Sequence, residues 1–552
     1  MARWTLGTWL GTASVLTTLV AGARVGHAQD SRDRSRLVIL TGAEAFAPVP
    51  TLNEGAQSST ANTDVADQLF LHLADLGPTL LTAGDHGFEP RLARSWTRRD
   101  SVTLVFDLDP RATWQDGVPV TAGDVVFTFA RARNPALAPG LARLLRRIVS
   151  VTAEGEHRVV FRYARPYGEQ FYDAVYHAAP LPAHLLARIR PESLATSAFV
   201  QAPVGSGPYR WVRRVPGQFI ELAANPRFFL GAPAIQHLFF RLAGDPQASL
   251  NLLLGGEADA IEVVPAPRSN VDRVTAQRDL RVVPYASASL GFLLFNQRDP
   301  RDSTKPHPIL SDRDVRRAIG LALDRAGMVR STFGNLAEVP YGPASPMLWI
   351  RRGTPAPARQ NLPEARRLLR ARGWIDHDGD GTLDKEGRPL ALTLILPSSS
   401  AFRMQLAQIV QAQLQQVGVR LELQTLENQL WNERRSEGRF DIDFAGTKQD
   451  PSPTGLGQGW SCRGGLNFAH YCDPRVDSLI EAASLATANV QQAWQTVLRQ
   501  IEDDAPAVFM YAPTFLAVVP RRFTNVRIRP ESLWLGVREW TLAGVTSRPA
   551  GN

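Results

Sequence analysis

The 552-residue sequence predicts a mixed α/β fold, because strand and helix patterns alternate in three of its stretches. Residues 103–132 pass from a strand through a turn into a helix. Residues 311–329 carry an amphipathic helix. Residues 390–423 hold a strand, a helix and a second strand in succession. We therefore expect mixed sheets that pack against helices.

In the first stretch, the strand leads into an Asp116-Gly117 turn. Thr121 and Asp124 then have the spacing of a capping box, in which each side chain accepts a hydrogen bond from the other residue's backbone amide. The pattern places Val125, Val126 and Phe129 on the buried face of the helix that follows.

In the second stretch, Ser311 and Asp314 have the same capping-box spacing. The apolar residues after them recur at helical intervals and predict one buried face, made of Val315, Ala318, Ile319, Ala322 and Leu323.

The third stretch begins with leucines that alternate from Leu390 to Leu396, as in a strand. Apolar residues then follow at helical spacing: Phe402, Leu406, Ile409, Val410, Leu414 and Val417. Gly418 ends the helix, and alternation resumes from Val419 to Leu423. This order predicts two parallel strands joined by a right-handed helical crossover.

The length exceeds what one hydrophobic core usually serves, so we expect two or three domains. The formal net charge is +8, but the basic residues are scattered. Without a focused basic patch, the sequence gives no indication of nucleic-acid binding.

Residues 1–28 have the features of a cleavable export signal. Arg3 precedes an uncharged, mostly apolar run over residues 5–23, and small residues at Gly26 and Ala28 predict cleavage after Ala28. The alternative is an uncleaved membrane anchor. A cleaved signal predicts a periplasmic protein.

The two cysteines, Cys462 and Cys472, are expected to form a disulfide in an exported chain. A metal or redox site is the weaker interpretation. The spacing is not C-x-x-C, and His470 is the only histidine close by.

Motifs of hydrolytic enzymes are missing from the sequence. There is no G-x-S-x-G, since Val204 and Pro208 stand where the outer glycines would be, and there is no H-E-x-x-H or P-loop. Catalytic residues can be scattered along a chain, so a secreted hydrolase stays as an alternative. A binding protein is favoured.

Several blocks of the chain resemble, in the same order, the extracellular solute-binding proteins of family 5, the oligopeptide, dipeptide and nickel type. The resemblance extends from about residue 36 to about residue 520. The blocks include PRLARSW (90–96), ATWQDGVPVTAGDVVFTF (112–129), APLPAHLL (179–186), PVGSGPYRW (203–211), CDPRVDSLIEAA (472–483) and IEDDAPAVFMY (501–511).

The resemblance implies a periplasmic-binding-protein-like fold, in which two lobes close on a ligand and a further lobe is added. Lobe I would comprise residues 37–70, 203–300 and 507–552, lobe II residues 71–202, and lobe III residues 301–506.

The resemblance also implies a monomeric receptor that delivers a peptide or related solute to the permease of an ABC importer, without a cofactor and without catalysis. Other solutes bound within this class are nickel chelates, haem, opines and oligosaccharides.

The resemblance places the ligand's main charged contact at Asp450. In peptide receptors of this type, an aspartate three residues after a Gly-Trp pair holds the α-amino group. Here Gly446-Thr447 replaces that pair and Asp450 keeps the spacing. A buried amine needs a carboxylate partner, and Thr447 leaves a wider pocket than Trp would.

A second part of the ligand wall is expected at Ser58, Ser59 and Thr60. Peptide-binding relatives present a backbone edge there, to which an extended ligand adds as a strand. An ordinary polar loop is the alternative.

The stretch DHDGDGTLDKEG (376–387) has the beginning of a calcium loop, with Asp376, Asp378, Asp380 and Asp384 as candidate ligands. The glutamate expected at the twelfth position is replaced by Gly387, and a strand follows instead of a helix. We therefore interpret it as a turn, with a structural calcium site as the weaker alternative.

Overall fold

The structure is a computed structural model, and it describes residues 35–42, 60–265 and 267–544. Within these ranges, no helix combines the length and the apolar character that crossing a bilayer requires.

A twelve-stranded mixed sheet runs through the molecule. Its path, from one edge to the other, is Arg420–Leu426, Ala391–Pro397, Ile442–Lys448, Ser289–Phe295, Ala507–Pro520, Ala260–Ile261, Arg36–Thr41, His237–Leu242, Phe219–Ala224 and Tyr209–Val215. Two further strands, Leu280–Ala286 and Ala337–Glu338, also pair with Ala507–Pro520. The long strand Ala507–Pro520 therefore joins the two halves of the sheet.

The predicted strand–helix–strand unit is confirmed. Ala391–Pro397 pairs in parallel with Arg420–Leu426, and helix Ala401–Gln415 connects them. Leu406, Val410 and Leu414 are buried beneath the helix, whereas Phe402 is exposed.

A separate four-stranded antiparallel sheet has the order Ala93–Asp100, Thr103–Leu108, Arg158–Tyr163 and Ile148–Ala153. Helix Ala122–Ala132 packs on it and begins with the predicted Thr121–Asp124 capping box. Val125 and Phe129 are fully buried, and Val126 is half-buried.

The helix in the second stretch starts one residue later than predicted, which is a correction. Its N-terminal cap is Asp312, whose Oδ1 accepts a hydrogen bond of 2.9 Å from the amide of Asp314. Ser311 lies outside the helix Arg313–Ala322. A carboxylate caps as well as a hydroxyl does, so the sequence alone did not separate the two residues. The predicted buried face is confirmed.

The other helices and the small hairpins connect these sheets. The helices are Thr60–Leu69, Pro139–Leu144, Gln170–Val175, Ala183–Leu186, Ala198–Gln201, Pro246–Leu254, Ser269–Thr275, Arg325–Phe333, Leu362–Ala371, Asn428–Ser436, Leu456–Trp460, Pro474–Leu485 and Val490–Asp504. The hairpins pair Ala74–Leu76 with Phe88–Pro90, Arg298–Asp299 with Asp302–Pro306, Asp384–Lys385 with Arg388–Pro389, and Phe523–Thr524 with Thr541–Leu542.

The buried apolar side chains form separate clusters. The first cluster contains Leu37, Phe106, Phe171 and Trp534, and so combines the four-stranded sheet with the Arg36–Thr41 part of the large sheet. The second and third clusters cover the two faces of the sheet around Ile442–Lys448; Phe444 belongs to the second and Leu456 to the third. A smaller fourth cluster surrounds Leu250. The described core is therefore divided into clusters, and a cluster with the residues packed around it is here called a body.

Cys462 and Cys472 form the predicted disulfide, with their Cα atoms 4.3 Å apart. It closes the loop between helices Leu456–Trp460 and Pro474–Leu485. The amide of Cys462 also donates to Oδ1 of Asp477 at 2.9 Å.

Candidate functional site

Gly446 and Thr447 lie at the carboxyl end of strand Ile442–Lys448. Gly446 pairs with Gly291 of the neighbouring strand, and Thr447 pairs with Leu290. Since successive residues of a strand face opposite sides of a sheet, Gly446 and Thr447 lie on different faces.

The paired glycines make room for two large side chains. A Cβ on Gly291 would lie 2.2 Å from Cζ of Tyr511, and a Cβ on Gly446 would lie 2.8 Å from Nη2 of Arg403. Burial raises the pKa of Tyr511, and the Arg403 guanidinium beside it partly offsets this. In the described part of the chain, Nε of Arg403 is buried and has no hydrogen-bond partner. A cationic donor is thus available next to Gly446.

Gln449 fixes the direction of the chain just past this strand. Its amide donates to the carbonyl of Ala288 at 2.9 Å, and its Nε2 donates to the carbonyl of Pro343 at 2.6 Å. Asp450, the next residue, is exposed.

Two tyrosines of the first hydrophobic cluster interact electrostatically with Asp450. Tyr172 and Tyr176, here called the tyrosine pair, stack with their ring centroids 4.6 Å apart and an interplanar angle of 19°. Burial raises the pKa of both hydroxyls well above the usual range, and the Asp450 carboxylate contributes to both shifts. The Asp450 carboxylate therefore lies within electrostatic range of an aromatic pair, of which Tyr172 is buried and Tyr176 is half-buried.

The chain just after Asp450 contacts the start of helix Gln170–Val175, which contains Tyr172. Ser452 Oγ donates to Oε2 of Glu169 at 2.6 Å, and Glu169 is the N-cap residue of Gln170–Val175. Thr82 donates to the other oxygen of Glu169. Two segments distant in sequence are thereby joined beside the tyrosine pair.

A further acidic group, Asp64, interacts electrostatically with Lys448, the last residue of strand Ile442–Lys448. Burial raises the pKa of Asp64 well above its usual range, the carboxylates of Glu262 and Asp67 raise it further, and Lys448 lowers it. Burial also raises the pKa of Glu262, and Lys448 again opposes the shift. Asp64 is 0% exposed, and among the described residues neither of its carboxylate oxygens has a hydrogen-bond partner of normal geometry.

The expected backbone edge at residues 58–60 falls mostly outside the described residues. Ser58 and Ser59 lie outside the described residues, and Thr60 is the first residue of helix Thr60–Leu69.

The acidic turn brings Asp376, Asp378 and Asp380 together, with one oxygen of each within 4.8 Å of the others. The backbone already uses these groups: Asp376 accepts from the amides of Gly379 and Gly381 at 2.8 and 3.1 Å. Asp384 turns instead to His377, whose Nδ1 lies 2.8 Å from Oδ1. Gly379 and Gly381 both have positive φ, which a tight turn requires.

Sequence reasoning did not identify Arg403, Glu169 or the tyrosine pair. The two tyrosines are four apart, the spacing of neighbours on one helical face, which was the one available signal. Arg403 and Glu169 gain their positions only through tertiary packing.

The sequence profile described as bacterial extracellular solute-binding proteins, family 5 Middle, matches residues 87–465. The oligopeptide-binding protein AppA of Bacillus subtilis (strain 168) is 25% identical over 507 residues, which cover 90% of each chain. A probable di/tripeptide-binding protein 5 of Pseudomonas aeruginosa (strain UCBPP-PA14) is 28% identical over 513 residues, covering 86% of this chain and 90% of that protein.

Solved structures agree with this fold. The structure of AppA from Bacillus subtilis in complex with a nonapeptide has a TM-score of 0.72 at 23% identity, covering 92% of this chain and 99% of that one. NikZ from Campylobacter jejuni in complex with Ni(L-His) has a TM-score of 0.74 at 22% identity, with the same coverage. With the profile match over most of its length, the chain belongs to family 5 of the bacterial extracellular solute-binding proteins.

Proposed function

We propose that this chain is the periplasmic receptor of an ABC importer, and that it binds a peptide with a free amino terminus and delivers it to the permease. The observation that carries the proposal is the position of Asp450, which follows a strand end and acts electrostatically on both hydroxyls of the tyrosine pair. Relatives named for oligopeptide and di/tripeptide binding support a peptide as the solute.

Asp450 is suited to hold the α-amino group of the ligand. An ammonium group removed from water needs an ionised partner, because its desolvation otherwise prevents binding. The tyrosine rings supply an aromatic surface beside the carboxylate, which also favours a cation. Thr447, on the other side of the sheet from Gly446, leaves this space without the large aromatic residue of related receptors.

Arg403 is suited to an anionic group of the same ligand. Its unused Nε donor and its position above Gly446 place a guanidinium near the strand end from which Asp450 follows. A guanidinium binds a carboxylate with two parallel hydrogen bonds. The two charges, one just past the strand end and one packed against Gly446, match the two charges of a zwitterionic peptide.

Binding would involve closure of the lobes, which we assign to residues 37–70, 203–300 and 507–552, to residues 71–202, and to residues 301–506. The backbone near Ser58, Ser59 and Thr60 would then add the peptide as an extra strand. Export would use residues 1–28 as a cleaved signal, and the receptor would act as a monomer without catalysis.

Native mass spectrometry of protein purified from its own compartment tests the nature of the solute. We expect a retained peptide that is released on denaturation. A bound nickel chelate, haem, opine or oligosaccharide would contradict the peptide assignment but keep the receptor function, and turnover of the bound molecule would contradict both.

Calorimetry with the recovered peptide tests the role of Asp450. Because the ligand would bury its ion pair with this residue, Asp450→Asn is expected to weaken binding by about 2–5 kcal/mol. Asp272→Asn, which removes the same charge from an exposed helix position, serves as the control and should bind like the wild type. A loss of less than about threefold for Asp450→Asn would remove Asp450 from the site.

A further inference from the structure

Glu169 is a buried carboxyl group at a junction between two packed bodies. It is 5% exposed, and it precedes a helix whose Phe171 and Tyr172 belong to the first hydrophobic cluster. Its partner Ser452 precedes Leu456, which belongs to the third cluster. The hydrogen bond between Glu169 and Ser452 therefore crosses from one body to the other.

A second path of hydrogen bonds crosses the same junction, at the bond from Thr82 to Glu169, since the neighbours of Thr82, Leu81 and Ala83, pack against the third cluster. Trp349, of the third cluster, donates through Nε1 to Oγ1 of Thr82 at 3.0 Å, and Thr82 in turn donates to Glu169. Trp349, Thr82, Glu169 and Ser452 thus form one continuous chain of hydrogen bonds that leaves one body and returns to it. Glu169 is the central member of this chain.

No basic side chain forms an ion pair with Glu169 in the described ranges of the sequence. Its two partners are neutral hydroxyl groups. The charged groups that act on it are Asp173 and His177, with His177 Nε2 3.4 Å from Oδ1 of Asp173, and Asp450 stands two residues before its partner Ser452. An ionised carboxylate buried between hydroxyls, without a cation, is less stable than the neutral acid.

The hydrogen-bond geometry also suits the neutral acid. A proton on Oε2 would be donated to Ser452 Oγ, and Ser452 would donate to Oγ1 of Thr454, which lies 2.6 Å away. Thr82 would continue to donate to Oε1. Every member of the chain keeps a partner when Glu169 is protonated.

We propose that Glu169 is a positioning residue that takes up a proton when the two bodies close, and thereby holds Asp450 against the tyrosine pair. Ser452 follows Asp450 by two residues, and Glu169 precedes Tyr172 by three, so the contact fixes both walls of the candidate site. Solute binding is then stronger in mildly acidic solution. This inference rests on the proposed function, since it concerns closure around a solute.

The direction of the pH effect follows from proton linkage. Burial raises the pKa of Glu169 to about 7 in this arrangement, with a contribution from Asp173, while Ser452, Thr82 and His177 act in the opposite direction. Exposed in an open form, the group would titrate near about 4.3. The closed form therefore binds the extra proton, so closure is favoured as the pH falls below about 7 and loses this contribution as the pH rises.

The test compares the wild type with Glu169→Gln, in which the amide keeps one donor and one acceptor at the same positions and cannot ionise. Calorimetry uses an equimolar mixture of tripeptides with free termini. We expect wild-type affinity to fall by about tenfold or more between about pH 5.5 and about pH 8. Glu169→Gln should have a flatter profile and bind more tightly than the wild type at the upper end.

Glu156→Gln, which removes the same charge from an exposed position, is the matched control and should follow the wild type. Parallel pH profiles of the wild type and Glu169→Gln, with peptides still binding, would overturn the role of Glu169 and leave the receptor function in place. If the peptide mixture does not bind at any pH, the peptide assignment fails. Small-angle scattering of the ligand-free proteins then decides about Glu169, because an equal change in the radius of gyration of both with pH would overturn its role.

Discussion

Two buried carboxylates, Asp75 and Glu169, are almost equally shielded from water and have opposite surroundings. Asp75 pairs with two arginines, with Nε of Arg91 at 2.7 Å and with Arg538. Although burial alone would raise the pKa of Asp75, these two cations hold it well below its usual range. Among the residues that the structure describes, the Glu169 carboxyl group has only hydroxyl partners, and burial raises its pKa to about 7.

The difference in their partners follows from where each carboxyl group lies. The Asp75 strand and Arg538 adjoin side chains of the same hydrophobic cluster, Ala74, Leu76 and Val537. This ion pair forms when that body folds, and nothing requires it to break afterwards. Glu169 lies between two bodies, and in the proposed mechanism this contact opens, which a permanent cation would oppose. Ionic pairing within a body and neutral partners between bodies are what the proposed closure would require.

The largest expected effect is the loss of stability when the carboxylate of Asp75 is removed. Asp75→Asn removes the close carboxylate partner of Arg538, which is 7% exposed, and leaves it the longer ion pair with Glu539 at 3.8 Å. Breaking a buried pair in this way typically costs about 3–5 kcal/mol in the free energy of unfolding. Urea denaturation followed by circular dichroism measures it.

Asp107→Asn is the matched control, because its partner Arg158 is half exposed and a surface pair contributes less than about 1 kcal/mol. The contribution of Asp75 is present above the pKa of the unfolded chain, near about 3.9, and is lost as the pH falls towards the lowered folded pKa. Equal losses in the free energy of unfolding for Asp75→Asn and Asp107→Asn at neutral pH would contradict the expected difference between a buried and a surface ion pair.

The next effect comes from the disulfide, which lies within one body. Replacing both Cys462 and Cys472 with serine should lower the free energy of unfolding by about 2–3 kcal/mol, since a loop of about ten residues is no longer closed in the unfolded chain. Because the disulfide does not cross the junction at Glu169, the pH profile of solute affinity should keep its shape. A changed profile would show that the loop takes part in closure.

Much of the fold could be predicted from local patterns. Alternating leucines, helical spacing and Gly418 defined the crossover unit, and Thr121 with Asp124 defined a helix start, because each depends on neighbours in sequence. The cap at Asp312 was missed because two adjacent residues could both fulfil that role.

The candidate site was predictable only in part. Asp450 was predicted because it follows a strand end at a spacing that the family resemblance supplied, and its role stays a prediction. The contact between Glu169 and Ser452 joins residues 283 apart in sequence, and no periodicity links them. Arg403 acquires its place because a glycine pair on two other strands leaves room for it. Features of this kind depend on how bodies and sheets meet, which local patterns do not encode.

The smallest expected effect concerns Asp64, a carboxyl group that forms no ion pair with a cation in the described part of the chain. Its raised pKa means that the folded protein holds a proton more strongly than the unfolded chain, so its contribution favours folding at low pH and is lost as the pH rises through the folded value. Asp64→Asn removes the charge while keeping the shape. At about pH 8 it should stabilise the ligand-free protein by about 1–2 kcal/mol, a part of the penalty of an unsatisfied buried group. Near about pH 4, where the wild-type group is largely protonated, the two proteins should unfold at the same urea concentration. A destabilised Asp64→Asn protein at about pH 8 would mean that Asp64 is ionised and paired, like Asp75.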